Sequence, residues 1–272
     1  MNSKKMAAAA AAMAFAACAA AAHAETVDVN GSTTVLPAMQ LVAESFMKAN
    51  PNIAVTISGT GSGNGIKALR DKTTDIAMSS RDLKDKEVKD FESHGMQPVK
   101  FTVAHDAIIP VVNPKNKVQG LTKAQLRDVF AGKIRDWKDV GGDAAPIVVI
   151  GRDSSSGTFE CFQELVMGKD RVSARALLQA SNGGVVQAVT ANPNAIGYVG
   201  IGYLEAGAKG ISVDGVAPTE ENAKAKKWPI SRDLYLFTIG QPQGGAKALI
   251  DYMLGKDGQA AVQKSGYLPV AD

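Results

Sequence analysis

Cysteine, histidine and surplus charge are all scarce in this chain, and each scarcity removes a class of function. Two cysteines in 272 residues can build neither a disulfide framework nor a four-thiolate zinc site. Three histidines are too few for a metal centre built from several imidazoles. The 30 basic and 27 acidic side chains nearly cancel, leaving a formal charge of +3. That balance lacks the basic stripe that nucleic-acid binding demands. Nucleotide and hydrolase signatures are missing as well. The run Gly59-Thr60-Gly61-Ser62-Gly63-Asn64-Gly65 does not fit G-x-G-x-x-G, no G-x-x-x-x-G-K-[ST] occurs, and neither Ser62 nor Ser156 sits in G-x-S-x-G. A Ser-His-Asp triad would have to use His94, in a turn-like Ser-His-Gly, or His105, in a strand-like apolar stretch. Both read as structural.

What remains is an ordinary globular composition, 45% hydrophobic and 21% charged. It excludes a disordered or collagen-like chain and allows one large domain or two of ordinary size.

The first 24 residues differ from the rest. Lys4 and Lys5 precede an uncharged, mostly alanine run from Met6 to Ala22, which closes at Ala22-His23-Ala24. A positive start, a short apolar stretch and an A-x-A site describe a cleaved secretory signal. The run is too short and too weakly apolar for a membrane span. Lipid attachment at Cys18 is an alternative, but Phe15 is a poor match to the leucine usual in lipoprotein signals. Cleavage after Ala24 takes away two lysines and leaves 248 residues with 28 basic and 27 acidic groups. One cysteine stays, Cys161, flanked by Phe159 and Phe162 and expected to be a small core residue.

Beyond the signal, strand-like and helix-like segments alternate. Val27–Val29, Ile53–Ile57 and Asp75–Met78 read as strands. Met39, Val42, Ala43 and Phe46 recur at helical spacing up to Asn50-Pro51. A second helix is expected to begin at Ile66. Three such strand–polar loop–helix units predict a parallel α/β sheet. Further along come a strand-rich stretch from Val99 to Val112, a helix from Leu121 to Phe130 with Thr122 at its start, and the aliphatic run Ile147–Ile150, expected to be fully buried. A helix from Phe159, a strand over Leu234–Thr238 and two closing helices complete the pattern, while Lys224–Lys227 reads as a solvated face.

The informative feature is chemical repetition. Four loops after strands are built from Gly, Ser and Thr: 31–34, 59–65, 79–81 and 152–158. Ligands of open α/β sheets bind where the carboxyl ends of strands meet helix N-termini, and exposed N–H groups there suit anions. Arg81 and Arg152 add charged forks matched to an oxyanion. Turns and caps also favour these residues, but four such loops with two arginines point to anion binding.

In these loops the chain resembles the phosphate-binding proteins of bacterial ABC phosphate transporters, which have a type II periplasmic binding-protein fold. The resemblance runs through Gly31-Ser32-Thr33-Thr34-Val35-Leu36-Pro37, Gly59–Gly63, Asp75–Arg81, Leu121–Trp137, the R-x-x-x-S-G-T of Arg152–Thr158, and Asn194–Val199. It implies a two-lobed α/β protein with a ligand cleft between lobes, one formed by residues 25–108 with 233–272 and the other by 109–232. It implies phosphate contacts from Ser32, Thr33, Thr34, Gly61, Ser62, Ser80, Arg81, Arg152, Ser156, Gly157 and Thr158, with Asn182 a further candidate. A monomeric periplasmic protein that passes phosphate to a membrane permease, without metal, cofactor or catalysis, is the expectation. Where several family members have a carboxylate that accepts the proton of phosphate, this sequence has Ser80; Asp153 and Asp75 are possible substitutes. Sulfate or molybdate is therefore the alternative ligand, and a phosphoester hydrolase the alternative of a different class.

Overall fold

The computed structural model describes residues 25–270; the proposed signal and Cys18 lie outside the described residues. In chain order the elements are β1 (Glu25–Gly31), α1 (Leu36–Ala49), β2 (Ile53–Gly59), α2 (Ser62–Arg70), β3 (Ile76–Ser79), α3 (Asp85–Ser93) and β4 (Pro98–Val112). Next come β5 (Gly120–Leu121), α4 (Lys123–Phe130), β6 (Val148–Arg152), α5 (Gly157–Phe162), β7 (Leu177–Gln179), α6 (Asn182–Ala191) and β8 (Ala195–Gly200). The chain closes with β9 (Lys209–Gly210), β10 (Ser212–Val213), α7 (Glu220–Lys224), β11 (Ser231–Ile239), α8 (Gly244–Leu254) and α9 (Lys256–Lys264). No helix among the described residues is long and apolar enough to cross a membrane.

Local chemistry accounts for the best-defined elements. In α1, Ala38, Met39, Val42, Ala43 and Phe46 form the buried face, a stripe with helical period. Pro37 sits in its first turn, where a missing N–H costs nothing. The Asn50 amide closes the other end by donating to Phe46 O at 3.0 Å. Thr122 caps α4 by accepting from Gln125 N, and the Gln125 side chain answers at Thr122 N. All four residues of β3 are buried, as expected of a strand covered on both faces.

The main sheet has the order β2-β1-β3-β11-β4-β8-β6-β7, with β9 added to β4. Strands β1, β2 and β3 pair in parallel, as do β6, β7 and β8. The long β4 joins the two groups. Its residues Pro98–Ala107 pair with β11, and Ile108–Val112 pair with β8. Each parallel group therefore ends its strands toward the other, and the loops that follow β1, β2, β3 and β6 face one another. In the second group Phe162 stacks on Tyr198 with ring centroids 4.0 Å apart and planes 6° apart, and Phe130 packs against both. Such pairs add roughly 0.5–1.5 kcal/mol each beyond the area they bury.

Several expectations need adjustment. Helix α2 starts at Ser62 rather than Ile66, so the glycines at 63 and 65 lie inside it. There they permit close contact: a side chain at Gly65 would collide with the backbone of Asn30 and Gly31. Helix α5 starts at Gly157 rather than Phe159 and runs on as a π-helical turn over Gln163–Met167. Strand β6 is fully buried only from Ile150 onward, and Ile147 lies outside it. Cys161 is only partly buried and packs against the core from its margin. His105 is also exposed, its Nδ1 lying 2.6 Å from Asp233 Oδ1.

Candidate functional site

Nine of the twelve residues singled out in the sequence converge on one buried polar cluster. Ser32, Thr33, Thr34, Ser62, Ser80, Arg152, Ser156, Thr158 and Asn182 are all at most 3% exposed, although they come from five loops. Sealing so many polar side chains from water is costly unless they bond to one another. They do. Asn182 Nδ2 donates to Thr33 Oγ1 at 3.1 Å and to Thr34 Oγ1 at 3.0 Å, and its Oδ1 accepts from Gly200 N. Ser80 N donates to Ser62 Oγ, and the two serine hydroxyls are 3.2 Å apart. Tyr203 donates to Thr33 O at 2.6 Å, and burial pushes its hydroxyl pKa up to about 12.

Arg152 supplies the charge. Its Nε donates to Gln179 O, and its Nη2 donates to Ala180 O and Thr33 Oγ1. Nη1 is buried with no hydrogen-bond partner. Among the described residues no carboxylate lies within ion-pair distance of it. Burial, the largest influence, lowers its pKa. A buried cation with unfilled donors is expensive by several kcal/mol. Here the same guanidinium touches the hydroxyl cluster through Nη2 and Thr33 Oγ1.

The loops have distinct duties. Ser156 Oγ accepts from Phe159 N and caps α5. Ser32 Oγ accepts from Thr34 N and Val35 N, shaping the first loop. Gly157 is required by packing: a Cβ there would overlap Ser62 Oγ and stand 2.7 Å from Ser80 Oγ. Gly61, at φ 102°, likewise leaves no room for a side chain, because Ser155 presses on it. Its N–H already donates to Gly31 O, so Gly61 shapes the loop and is not the donor expected of it. Gly63 N in turn donates to Ser155 O at 2.9 Å, joining α2 to the loop after β6.

Arg81 is the main correction. Its guanidinium grips both oxygens of Glu87 at 2.7 and 2.8 Å, and its Nε meets Glu160. Two carboxylates occupy the fork that an oxyanion would need. The second arginine of the cluster is Arg232, absent from the sequence reading. Its Nε donates to Asp106 Oδ2 at 2.8 Å, its Nη1 to Ser80 O, and its Nη2 to Thr34 Oγ1 at 3.2 Å and Thr158 Oγ1 at 3.0 Å. Burial opposes its charge, yet the Asp106 carboxylate holds its pKa above the usual value. Burial pushes the Asp106 carboxyl up as well, against the pull of Arg232. No loop motif marks either residue; the one available signal was a charge inside each of two apolar strands.

The acceptor question also resolves by position. Asp75 accepts from Asp28 N at an exposed site, and Asp153 Oδ1 is taken by Ser155. Asp106 is held by Arg232 and Ile201 N. None offers a free carboxylate to the cluster. Beside the cluster lies a cleft of about 1380 Å³ whose wall includes Arg81, Glu160, Cys161 and Arg232. No group of three or more His, Cys, Asp or Glu placed to hold a metal occurs among the described residues.

Two lobes joined by long antiparallel strands, with a sealed cluster of donors and one unpaired cation between them, define a two-lobed periplasmic binding protein. A family profile described as the PBP superfamily domain matches residues 16–257. The chain is 34% identical over 257 residues to the phosphate-binding protein PstS of Borreliella burgdorferi, covering 90% of each. It is 33% identical to PstS of Pseudomonas aeruginosa strain PAO1, covering 88% of this chain and 81% of that one. A phosphate ABC transporter substrate-binding protein from Clostridium perfringens, solved with bound phosphate, superposes with a TM-score of 0.84. That structure is 33% identical and covers 90% of this chain and 100% of its own. An ABC-type phosphate transport receptor from Vibrio cholerae gives a TM-score of 0.72 at 31% identity, covering 89% and 99%. The chain belongs to the PstS family of phosphate-binding proteins within the PBP superfamily.

Proposed function

We propose that this chain captures inorganic phosphate between its lobes outside the cytoplasm and delivers it to the membrane permease of an ABC transporter. The observation that carries this is Arg152: 2% exposed, with both N–H groups of Nη1 unfilled. A dehydrated oxyanion satisfies that guanidinium and takes further hydrogen bonds from the surrounding hydroxyls, replacing its water shell. The relatives named for phosphate binding, and the one solved with phosphate bound, support this ligand.

The protein acts by binding and closure rather than chemistry, as a monomer carrying no cofactor. Residues 25–108 with 233–272 form one lobe and 109–232 the other, a division supported by the change of partner along β4 after Ala107. Contacts such as Gly63 N to Ser155 O belong to the closed arrangement, and closure presents one composite surface to the permease. The ligand shell comprises Thr33, Thr34, Ser62, Ser80, Arg152, Ser156, Gly157, Thr158 and Asn182, with Ser32 and Gly61 shaping the loops. Arg81 is left out of it.

Calorimetric titration of the purified protein with phosphate tests the reading. Saturable binding in the micromolar range or tighter is expected, and its absence would sink the proposal. Another tetrahedral oxyanion, sulfate or molybdate, is the second reading, favoured by the lack of a free carboxylate acceptor in the cluster.

A further inference from the structure

We infer that Arg232, fixed by Asp106, is a positioning residue that turns the threonine hydroxyls of the site into donors toward the ligand. This deepens the phosphate reading and rests on it. A hydroxyl has one proton and two lone pairs, so the bonds at each threonine can be counted. Thr34 Oγ1 accepts from Asn182 Nδ2 and from Arg232 Nη2. Both lone pairs are used, and its proton must go to Thr158 Oγ1, 2.9 Å away. Thr158 Oγ1 then accepts from Thr34 and from Arg232 Nη2. Its lone pairs are also used, and its proton is left for the ligand. Thr33 Oγ1 reaches the same state by another route, accepting from Asn182 and Arg152.

The orientation of Asn182 supports this count. Its Oδ1 faces Gly200 N, a donor, so its amide nitrogen must face the threonines. Arg232 in turn cannot rotate away, because Asp106 holds it from the neighbouring strand and the pair is almost wholly buried, at 4% and 0% side-chain exposure. Arg232 is the second residue of β11 and Asp106 lies on β4, opposite each other in register. The pair thus sits where the two joining strands cross, and its guanidinium touches Thr34 of one lobe and Thr158 of the other. Without Arg232, either threonine could donate to the other, and the Thr158 proton would no longer be committed to the anion.

A double-mutant cycle on phosphate affinity tests the proposal. Arg232→Lys keeps a cation beside Asp106 but loses the second nitrogen that reaches both threonines; Thr158→Val removes the hydroxyl being oriented. Each single variant is expected to weaken binding about 10- to 100-fold, as for a lost hydrogen bond to a charged group. If Arg232 acts through Thr158, the double variant is weaker than the worse single by no more than about threefold. Losses that multiply, or an Arg232→Lys affinity within twofold of the parent, would overturn the inference. The neutral pair Asp106→Asn with Arg232→Gln serves as the second variant if lysine prevents folding, with the same expectations. Failure of the unmodified protein to bind phosphate would instead overturn the phosphate reading, and this inference with it.

Discussion

The side-chain oxygens of Thr34 and Thr158 lie 2.9 Å apart although 124 residues separate them in the chain. One stands in the loop after β1 and the other in the first turn of α5, so this hydrogen bond joins the two proposed lobes at their buried centre. Around it the site divides its labour. Arg152 carries unfilled donors, Arg232 and Asn182 orient the hydroxyls, and Gly157 keeps space for two serines.

In the proposed reading Arg152 supplies affinity, and its buried, unfilled Nη1 is a burden on the empty protein. Arg152→Gln should weaken phosphate binding by roughly 2–5 kcal/mol, the range for losing one partner of a desolvated charge pair. The same change should leave thermal stability without ligand unchanged or raised, because an unpaired buried cation is removed. Calorimetry and thermal unfolding check the two signs. A variant that binds normally would remove Arg152 from the site.

Gly157→Ala places a methyl group against Ser62 Oγ and Ser80 Oγ. Overpacking of this kind costs about 1–3 kcal/mol, so affinity should fall about 10- to 100-fold. If the two serines separate from Gly157 when the lobes part, the unliganded protein should unfold at its normal temperature. Titration paired with a melting curve distinguishes that outcome from general misfolding.

Arg81 should behave differently from Arg152. Its fork is committed to Glu87 and Glu160. Arg81→Gln is therefore expected to lower the melting temperature while leaving phosphate affinity within about tenfold, near 1.4 kcal/mol. An affinity loss as large as that of Arg152→Gln would return Arg81 to the ligand shell.

Glu87 gives a pH signature. Burial raises its pKa, but the Arg81 hydrogen bonds and the Lys84 N–H outweigh it, and the net shift is downward from an ordinary value of 4.5. A carboxyl with a depressed folded pKa stabilises the protein above the unfolded value. That contribution disappears as pH falls through the folded value. Glu87→Gln should accordingly melt below the parent at pH 7, with the gap closing under about pH 4. Melting curves across pH 3–7 check this, and a gap of constant size would contradict it.

Sulfate should compete. With no free carboxylate in the cluster, nothing repels an oxyanion that lacks a proton. Ser80 Oγ and Ser156 Oγ, each with one hydrogen-bond partner, retain acceptor capacity for protonated phosphate. A neutral hydrogen bond of about 0.5–1.5 kcal/mol gives roughly tenfold preference for phosphate. Displacement titration measures it, and discrimination beyond about 1000-fold would point to an acceptor elsewhere.

Much of this protein was legible before any coordinates. The 3.6-residue stripe of α1 and the alternation of β1 and β2 follow from side-chain periodicity. The Gly-Ser-Thr loops name themselves through the turn chemistry of their residues. Nine of the twelve expected residues were therefore legible as members of one buried polar cluster, because local backbone demands and ligand chemistry select the same residue types. Arg81 and Arg232 were not, for one reason seen from two sides. A sequence shows that an arginine exists but not which carboxylate neutralises it. Glu160 lies 79 residues from Arg81, and Asp106 lies 126 residues from Arg232. Only the pairing of β4 with β11, and the meeting of α5 with the loop after β3, decided which cation stands free, which is spent, and which is held in place to aim the threonines.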